Sequence, residues 1–446
     1  MEDYRRVADE VAAAIAAGRL RPGDRLPPQR AFARDRRIAA STASRVYGEL
    51  ARRGLVVGEV GRGTFVRAAE PAPVPALAEP TGAKVDLELS SPVLPEQSAL
   101  LAAGLGRLLR PDVLDAALGP GRVTGTAAAR EAAAALLAAP GWRPGPGSVL
   151  FAGNGRQAIA GAVAALVPPG GRLAVEALTY PVIKGVAARL GVTLVPVAAD
   201  GAGLRPDALA DAHRAAPFGA VYLQPTLHNP HGTTMPPRRR AEVAAALERL
   251  GLHAIEDRVW AFLPADGPEP LAALAGDRTV VVDSLSKRLA PGLTLGFAVP
   301  PAALAGRVAA ALRSGAWGPA RFALDAATGW IAGGAVGEIT RAKRADAAAR
   351  SRIVTERLAG AAVRSGPCSY FCWWDLPPQW RAETFVAAAA RRGIAVTPAA
   401  AFAVGTGAAP RAVRVGLASP PPETLGRALD VLAEIAAGGP EDIPID

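Results

Sequence analysis

Seven short apolar runs alternate with alanine-rich stretches between residues 148 and 300, and that alternation narrows the folds open to the chain. The runs are SVLFAG, RLAVEA, TLVPVAAD, GAVYLQP, HAIED, RTVVVDSLS and LGFAVP. Several are apolar at nearly every position, as strands buried on both faces are. Between them, GRQAIAGAVAALV, PVIKGVAARLG and RRRAEVAAALERLG read as helices. Strand and helix in alternation predict an α/β architecture, a mostly parallel sheet covered by helices on both sides. Ligands of such sheets collect beyond the carboxyl ends of the strands. Residues that close these runs are therefore the first candidates for function.

One strand end carries a lysine. Of the 50 Lys and Arg residues only Lys84, Lys184, Lys287 and Lys343 are Lys. Lys287 directly follows RTVVVDSLS. An amine can lose its proton and attack an aldehyde; a guanidinium cannot at physiological pH. Taken alone, Lys287 reads equally well as a surface lysine. Its neighbours point to a Schiff base with a pyridine aldehyde. Such a ring needs a carboxylate at its nitrogen, and Asp257 closes HAIED; alone it would be a loop cap. A phenolic ring oxygen needs a donor, and Asn229 in PTLHNPHG offers one, or forms a turn before Pro. A phosphate needs N–H groups at a helix start, and GNGRQAIA supplies Asn154, Gly155, Arg156 and Gln157 at one. Ser284 and Ser286 flank the amine. Tyr180 in EALTYP can stack on a ring, and Arg414 in AVRVGLAS can clamp a carboxylate bidentately.

The first 67 residues have a different character. The chain carries +10 overall, and this segment, with 14 Arg against 8 acidic residues, holds most of it. A basic segment on a near-neutral body suits a nucleic-acid partner. Val7, Val11 and Ile15 line one face of a first helix. Pro27 or Pro28 opens a second, through Ala31 and Phe32 to about Asp35. Ser41 is placed to cap a third, in which Thr42, Arg45 and Glu49 share one side while Val46 and Leu50 face inward. Gly54 is placed to end it. LVVGEVGRGTFV then reads as a hairpin. Three helices and a hairpin predict a winged helix-turn-helix, whose third helix enters the major groove of DNA. Ser41, Thr42 and Arg45 would face the bases, with Arg30 and Arg62 reaching the backbone or minor groove.

RAAEPAPVPALAEPTGAKVD is Pro- and Ala-rich and reads as a semi-stiff spacer. The expected divisions are thus 1–67, a linker at 68–86, and a large domain at 87–446. Two cysteines, Cys368 and Cys372, without a nearby His predict no metal site, and two thiols fit a reducing compartment. No apolar stretch reaches the roughly 20 residues of a membrane span, and the charged N-terminus lacks a signal-peptide core. A cytoplasmic protein is expected.

GRLRPGDRLPPQRAFA, STASRVYGELARRGLV and GRGTFV together resemble the DNA-binding domain of GntR-type regulators. GNGRQA, EALTYP, HNPHG, IED, SLSK and VRVGL, in that order, resemble the fold-type I, aspartate aminotransferase-like proteins that use pyridoxal 5'-phosphate (PLP). The fused order resembles the MocR subfamily of transcription regulators. That resemblance implies an internal aldimine on Lys287, Asp257 at the pyridine nitrogen, Asn229 on the ring oxygen and Tyr180 stacked on the ring. It further implies Gly155, Arg156, Ser284 and Ser286 around the phosphate, and Arg414 on an effector carboxylate. The implied protein is a homodimer that binds a DNA operator and senses an amino compound or PLP. The alternative is an aminotransferase carrying a DNA-binding domain. Two positions depart from the family pattern. Thr294 stands where a phosphate-binding Arg is usual, leaving Arg156 or Arg288 to compensate. Val259 and Trp260 stand where a Tyr commonly meets the ring oxygen, which counts against efficient transamination.

Overall fold

The computed structural model describes residues 4–17, 19–20, 24–53, 55–59, 63–66, 83–405 and 409–440. The first part folds as helices α1 (Tyr4–Ala16), α2 (Gln29–Asp35) and α3 (Ala40–Arg52), followed by strands β1 (Val56–Glu59) and β2 (Gly63–Val66). The strands pair antiparallel with Val57 opposite Phe65. Val7 and Val11 of α1, Phe32 of α2, and Val46 and Leu50 of α3 meet in one buried cluster. Phe32 and Tyr47 pack edge to face, 5.3 Å between centroids, the arrangement the ring quadrupoles favour. Two expectations need correction. Ser41 lies inside α3; the helix is preceded by Ala39 and has no side-chain cap. Glu49 is buried, not on the exposed side with Thr42 and Arg45. It is drawn inward because Arg53 donates to it at 2.8 Å. Gly54 and Arg62 lie outside the described residues.

The large part continues with β3 (Val85–Asp86), α4 (Gln97–Leu105), α5 (Pro111–Ala117), α6 (Ala127–Leu137), β4 (Leu150–Ala152), α7 (Gly155–Leu166), β5 (Arg172–Glu176), α8 (Pro181–Leu190) and β6 (Thr193–Val197). There follow β7 (Ala199–Asp200), β8 (Gly203–Leu204), α9 (Pro206–Ala215), β9 (Ala220–Leu223), α10 (Pro237–Leu250), β10 (His253–Asp257), α11 (Leu271–Leu274), β11 (Thr279–Ser284), α12 (Leu285–Arg288) and β12 (Gly296–Val299). The remainder is α13 (Ala302–Ser314), α14 (Arg321–Ala332), α15 (Ala335–Arg357), β13 (Val363–Arg364), β14 (Phe371–Asp375), α16 (Ala382–Arg391), β15 (Ile394–Ala395), β16 (Thr397–Pro398), β17 (Ala412–Gly416) and α17 (Pro422–Ala437).

The seven apolar runs form one sheet, ordered β4-β12-β11-β10-β9-β5-β6. Only β12 runs against its neighbours β11 and β4. Side-chain alternation along each strand feeds buried clusters on both faces of the sheet. Leu173, Val175, Val280 and Val282 face α7 and α13, while Ala174 and Val221 face α9 and α10 and Val281 faces α6 and α14. A smaller antiparallel sheet, β13-β14-β17-β16, packs with α16 and α17. Val85 and Asp86 pair in parallel with Ile394 and Ala395, which ties the entry of the large part to its C-terminal end. Asp9 of α1 accepts from Arg53 at 2.9 Å and from Arg381, the residue before α16.

The loop after β9 is held by a buried arginine. Arg240, 1% exposed, donates to Met235 O, Pro225 O, Glu269 O and Thr226 Oγ1. Its guanidinium lies 3.8 Å from the buried Glu256. Arg240→Ala strips these acceptors and leaves a buried carboxylate without its cation. The variant is expected to lose about 3 kcal/mol, read as a lower urea midpoint; an unchanged midpoint would show that the loop holds itself.

Candidate functional site

The carboxyl ends of β5, β9, β10 and β11 lie side by side, and the expected residues gather there. Ser284 ends β11 and caps α12 by accepting from Ser286 N at 3.3 Å. That single turn projects Lys287. Part of its side chain stays open, but the amine turns inward. Lys287 Nζ donates to Ser90 O at 2.6 Å and Ser91 Oγ at 3.1 Å, and sits 5.3 Å from the Trp260 ring centre. Burial, then the charges of Arg414, Arg156 and Lys343, push its pKa down to about 7, with Asp257 opposing.

Asp257 closes β10 and is buried. It accepts from Tyr222 Oη at 2.7 Å, Gln224 Nε2 at 2.8 Å and Val259 N at 3.0 Å. Burial raises its pKa to about 6, and the three hydrogen bonds hold it from going higher. The backbone N–H of Asn229 donates to Gln224 Oε1 at 3.2 Å. Its side-chain oxygen accepts from Arg414 Nη1 at 3.3 Å. Arg414, on β17, also donates to Glu88 O and to Thr397 Oγ1 at 3.2 Å. Burial foremost lowers its pKa to about 10.

Asn154 caps α7 by accepting from Gln157 N at 3.0 Å. At Gly155 a Cβ would come within 2.8 Å of Ser284 Oγ, so the helix start and the strand end touch through the missing side chain. Arg156 is exposed, and its charge acts on the Tyr180 phenol. Burial raises the pKa of that phenol. Ser286 Oγ and Thr294 Oγ1 lie 2.8 Å apart. Arg288 does not join them. It is held at 2.8 Å by Asp283 and lies over the Phe262 ring at 5.1 Å. Arg156 is therefore the cation available at this end.

Five contributors carry no motif in the sequence. Tyr222 and Gln224 sit at alternate positions of the β9 run and so share a face, a signal that could have been read. Ser90 and Ser91 come from a segment remote in sequence and without periodicity. Lys343 is fully buried and donates to Lys287 O at 3.0 Å and to Leu289 O.

This set fits a phosphorylated pyridine aldehyde. A partly neutral amine, a buried carboxylate, an amide at a ring-oxygen position and a helix start with an arginine converge at one edge. Arg414 Nε and Ser90 Oγ are buried and make no hydrogen bond to the protein, which leaves donors for a ligand. Among the described residues no His, Cys, Asp and Glu group could hold a metal, and no helix is long and apolar enough to cross a membrane.

In the first part, Ser41 and Arg45 of α3 and Arg30 of α2 are exposed, while Thr42 is half-buried. Arg45 lies 6.0 Å from the Tyr4 ring. Arg25, not singled out from sequence, bridges to Phe65 beside the hairpin.

Residues 117–432 match the family Aminotransferase class I and II, and residues 3–66 match Bacterial regulatory proteins, gntR family. The Uncharacterized HTH-type transcriptional regulator YdeF of Bacillus subtilis (strain 168) is 29% identical over 419 residues, spanning 94% of this chain and 90% of its own length. The Vitamin B6 salvage pathway transcriptional repressor PtsJ of Salmonella typhimurium is 28% identical over 317 residues, spanning 69% of this chain and 70% of its own. The crystal structure of an archaeal alanine:glyoxylate aminotransferase superposes with a TM-score of 0.72 at 21% identity, over 79% of this chain and 90% of that one. It shares the fold.

The hydrogen bond from Tyr222 favours the charged form of Asp257. Removing such a bond costs about 1.5–3 kcal/mol, and about 1.4 kcal/mol is one pKa unit. In Tyr222→Phe, Asp257 should keep its proton to at least one pH unit above its present value. Infrared difference spectra against Asp257→Asn would show it; an unshifted carboxyl band would contradict this account.

Proposed function

The chain belongs to the aminotransferase class I and II family, a PLP-dependent family, and joins to it a gntR-family DNA-binding domain in the MocR arrangement; from that premise we propose that it is a transcription regulator whose large domain holds PLP on Lys287 and senses an amino compound or PLP itself. The observation that carries this reading is the enclosed Lys287 amine, with a pKa near 7, within reach of the Asp257 charge. Near neutral pH such an amine is free of its proton a large part of the time. PLP supplies an aldehyde for that amine and a ring that withdraws electrons. Lys287 would hold its aldehyde carbon. Asp257 would keep a proton on the ring nitrogen, its own charge supported by Tyr222, Gln224 and Val259 N. Asn229 would donate to the ring oxygen and Tyr180 cover the ring face. Gly155, Arg156, Ser284 and Ser286 would bind the phosphate, Arg156 bringing the positive charge that Thr294 lacks. Arg414 would take the effector carboxylate.

An effector shifts the regulator only if it binds two states differently. Arg414 lies on the smaller sheet and Lys287 on α12, just after the larger one, so a ligand held by both depends on the distance between them. The working-aminotransferase reading retains one support, since a freed Lys287 amine can carry a proton between substrate and cofactor. Against it stands Trp260, whose indole cannot act as an acid or base. PtsJ, named a repressor of vitamin B6 salvage, supports a regulator over an enzyme. A homodimer in the cytoplasm completes the reading. The exposed Leu109, Leu118 and Phe322 offer apolar surface for a second copy.

Borohydride reduction of protein incubated with PLP should leave a pyridoxyl group on the peptide containing Lys287. Label on Lys184, or none, would overturn the reading. The rate of PLP uptake should rise as pH climbs through about 7 and level off above, because only the unprotonated amine reacts. Arg45→Ala should weaken binding to the operator, read by mobility shift, with PLP uptake unchanged. If both fall together, the two domains do not divide the work as proposed.

A further inference from the structure

Glu176 closes β5, and His228 lies in the loop between β9 and α10. Both side chains are buried, at 3% and 5% exposure. Glu176 Oε2 and His228 Nε2 are 2.9 Å apart, an ion-pair distance, but the contact lacks hydrogen-bond angles, and neither atom has a hydrogen-bond partner. A contact this short needs the imidazole proton on Nε2. A buried carboxylate oxygen with one neighbour depends on that neighbour, because burial without compensation is costly.

The place of the pair gives it a task. Tyr180 begins the helix that follows Glu176 by one turn of chain, and Asn229 is the next residue after His228. The contact thus joins the two loops that carry the ring-covering phenol and the ring-oxygen amide. Asn229 is held on its far side by Gln224 and Arg414, and Gln224 in turn holds Asp257. Tyr180 itself feels the charges of Asp257 and Arg414, and the Glu176 contact adds a tie between the backbone of its turn and that network. The groups around the imidazole do not replace it. His231 lies 5.6 Å from His228 and meets Trp373 edge-on at 5.0 Å. Burial first, then His228 and Arg364, push its pKa down to about 3, so it stays neutral.

We propose that Glu176 and His228 are positioning residues that clamp the turn after β5 to the loop after β9 and so set the gap between Tyr180 and Asn229 in which the cofactor ring lies. The inference rests on the PLP reading above. It separates from a plain packing role through a double-mutant cycle. Glu176→Ala, His228→Ala and the double variant are compared with Glu176→Gln, which keeps an oxygen to accept the imidazole proton. Three readouts are taken: PLP dissociation constant, the absorption maximum of bound PLP, and the melting temperature without PLP. Each alanine variant should weaken PLP binding about tenfold and the double variant no further, since a shared contact can be lost only once. The absorption maximum should move in the alanine variants, and Glu176→Gln should stay near wild type in both PLP readouts.

Losses that multiply in the double variant would overturn the clamp. So would a fall in melting temperature with affinity and absorption unmoved. Should the wild-type protein itself take up no PLP, the cofactor reading falls and the clamp with it, whereas normal wild-type uptake with multiplied losses sinks the clamp alone.

Discussion

An ammonium group taken out of water must find substitutes for its hydration. At Lys287 the substitutes are one carbonyl, one hydroxyl and the face of Trp260. They do not suffice against burial and three nearby cations, so the neutral amine becomes accessible near pH 7. The nucleophile thus arises from partial failure to solvate a charge. Asp257 is the complementary case. It is more fully enclosed, but three donors aim at its oxygens and moderate the rise of its pKa. Two ionisable groups at one edge of the sheet are tuned toward neutrality from opposite sides, which is a common way to arrange acid–base roles.

Holding those groups apart falls to other buried cations that bind main-chain carbonyls. Arg240 gathers the loop after β9, Arg350 takes Leu417 O and Pro420 O after β17, and Lys343 takes the carbonyls of Lys287 and Leu289. Irregular backbone at strand ends has unpaired carbonyls, and buried ones must be satisfied. An arginine supplies five donors in a fixed fork and can hold several at once. Lys343 occupies a tighter place between two carbonyls of one turn, where a compact ammonium fits. Burial lowers its pKa to about 7 as well.

That detail bears on how much was legible. The rarity of lysine drew attention to position 287, where burial lowers the pKa of the amine to about 7. Yet Lys343 and Lys184 were spared replacement for a different reason, since Lys184 also donates to a main-chain carbonyl, Ala401 O, at 3.1 Å. Scarcity marked places where a small ammonium matters, not only a reactive one. The sheet was readable because each strand is a distinct apolar run, and the residues closing those runs had to share an edge. Ser90 and Ser91 were not readable, because they arrive from nearly two hundred positions away on a segment without period. Glu49 was misplaced because helical spacing says which face a residue occupies but not that Arg53 would draw its carboxylate inward. Whether Arg156 or Arg288 stands near the phosphate end also needed three dimensions. Asp283 engages Arg288, and no sequence pattern announces a pair five residues apart across a strand end.

The link between Asn229 and Arg414 bears on sensing more than on turnover. One residue lies in the loop after β9 and the other on the smaller sheet, and a single amide–guanidinium contact joins them. On the proposed reading, a carboxylate that engaged the Nη1 side of Arg414 would compete with Asn229 for the same guanidinium. An enzyme gains little from such a contact unless it also has an acid or base to use, and Trp260 fills the place beside Lys287 with an indole that has neither role. A sensor gains directly, because competition for one guanidinium makes cofactor geometry depend on effector binding. The smaller sheet then has a way onward. It packs against α16, and Arg381, just before that helix, donates to Asp9 of the DNA-reading part. On the proposed reading, these polar contacts would carry effector binding from Arg414 toward the DNA-reading part.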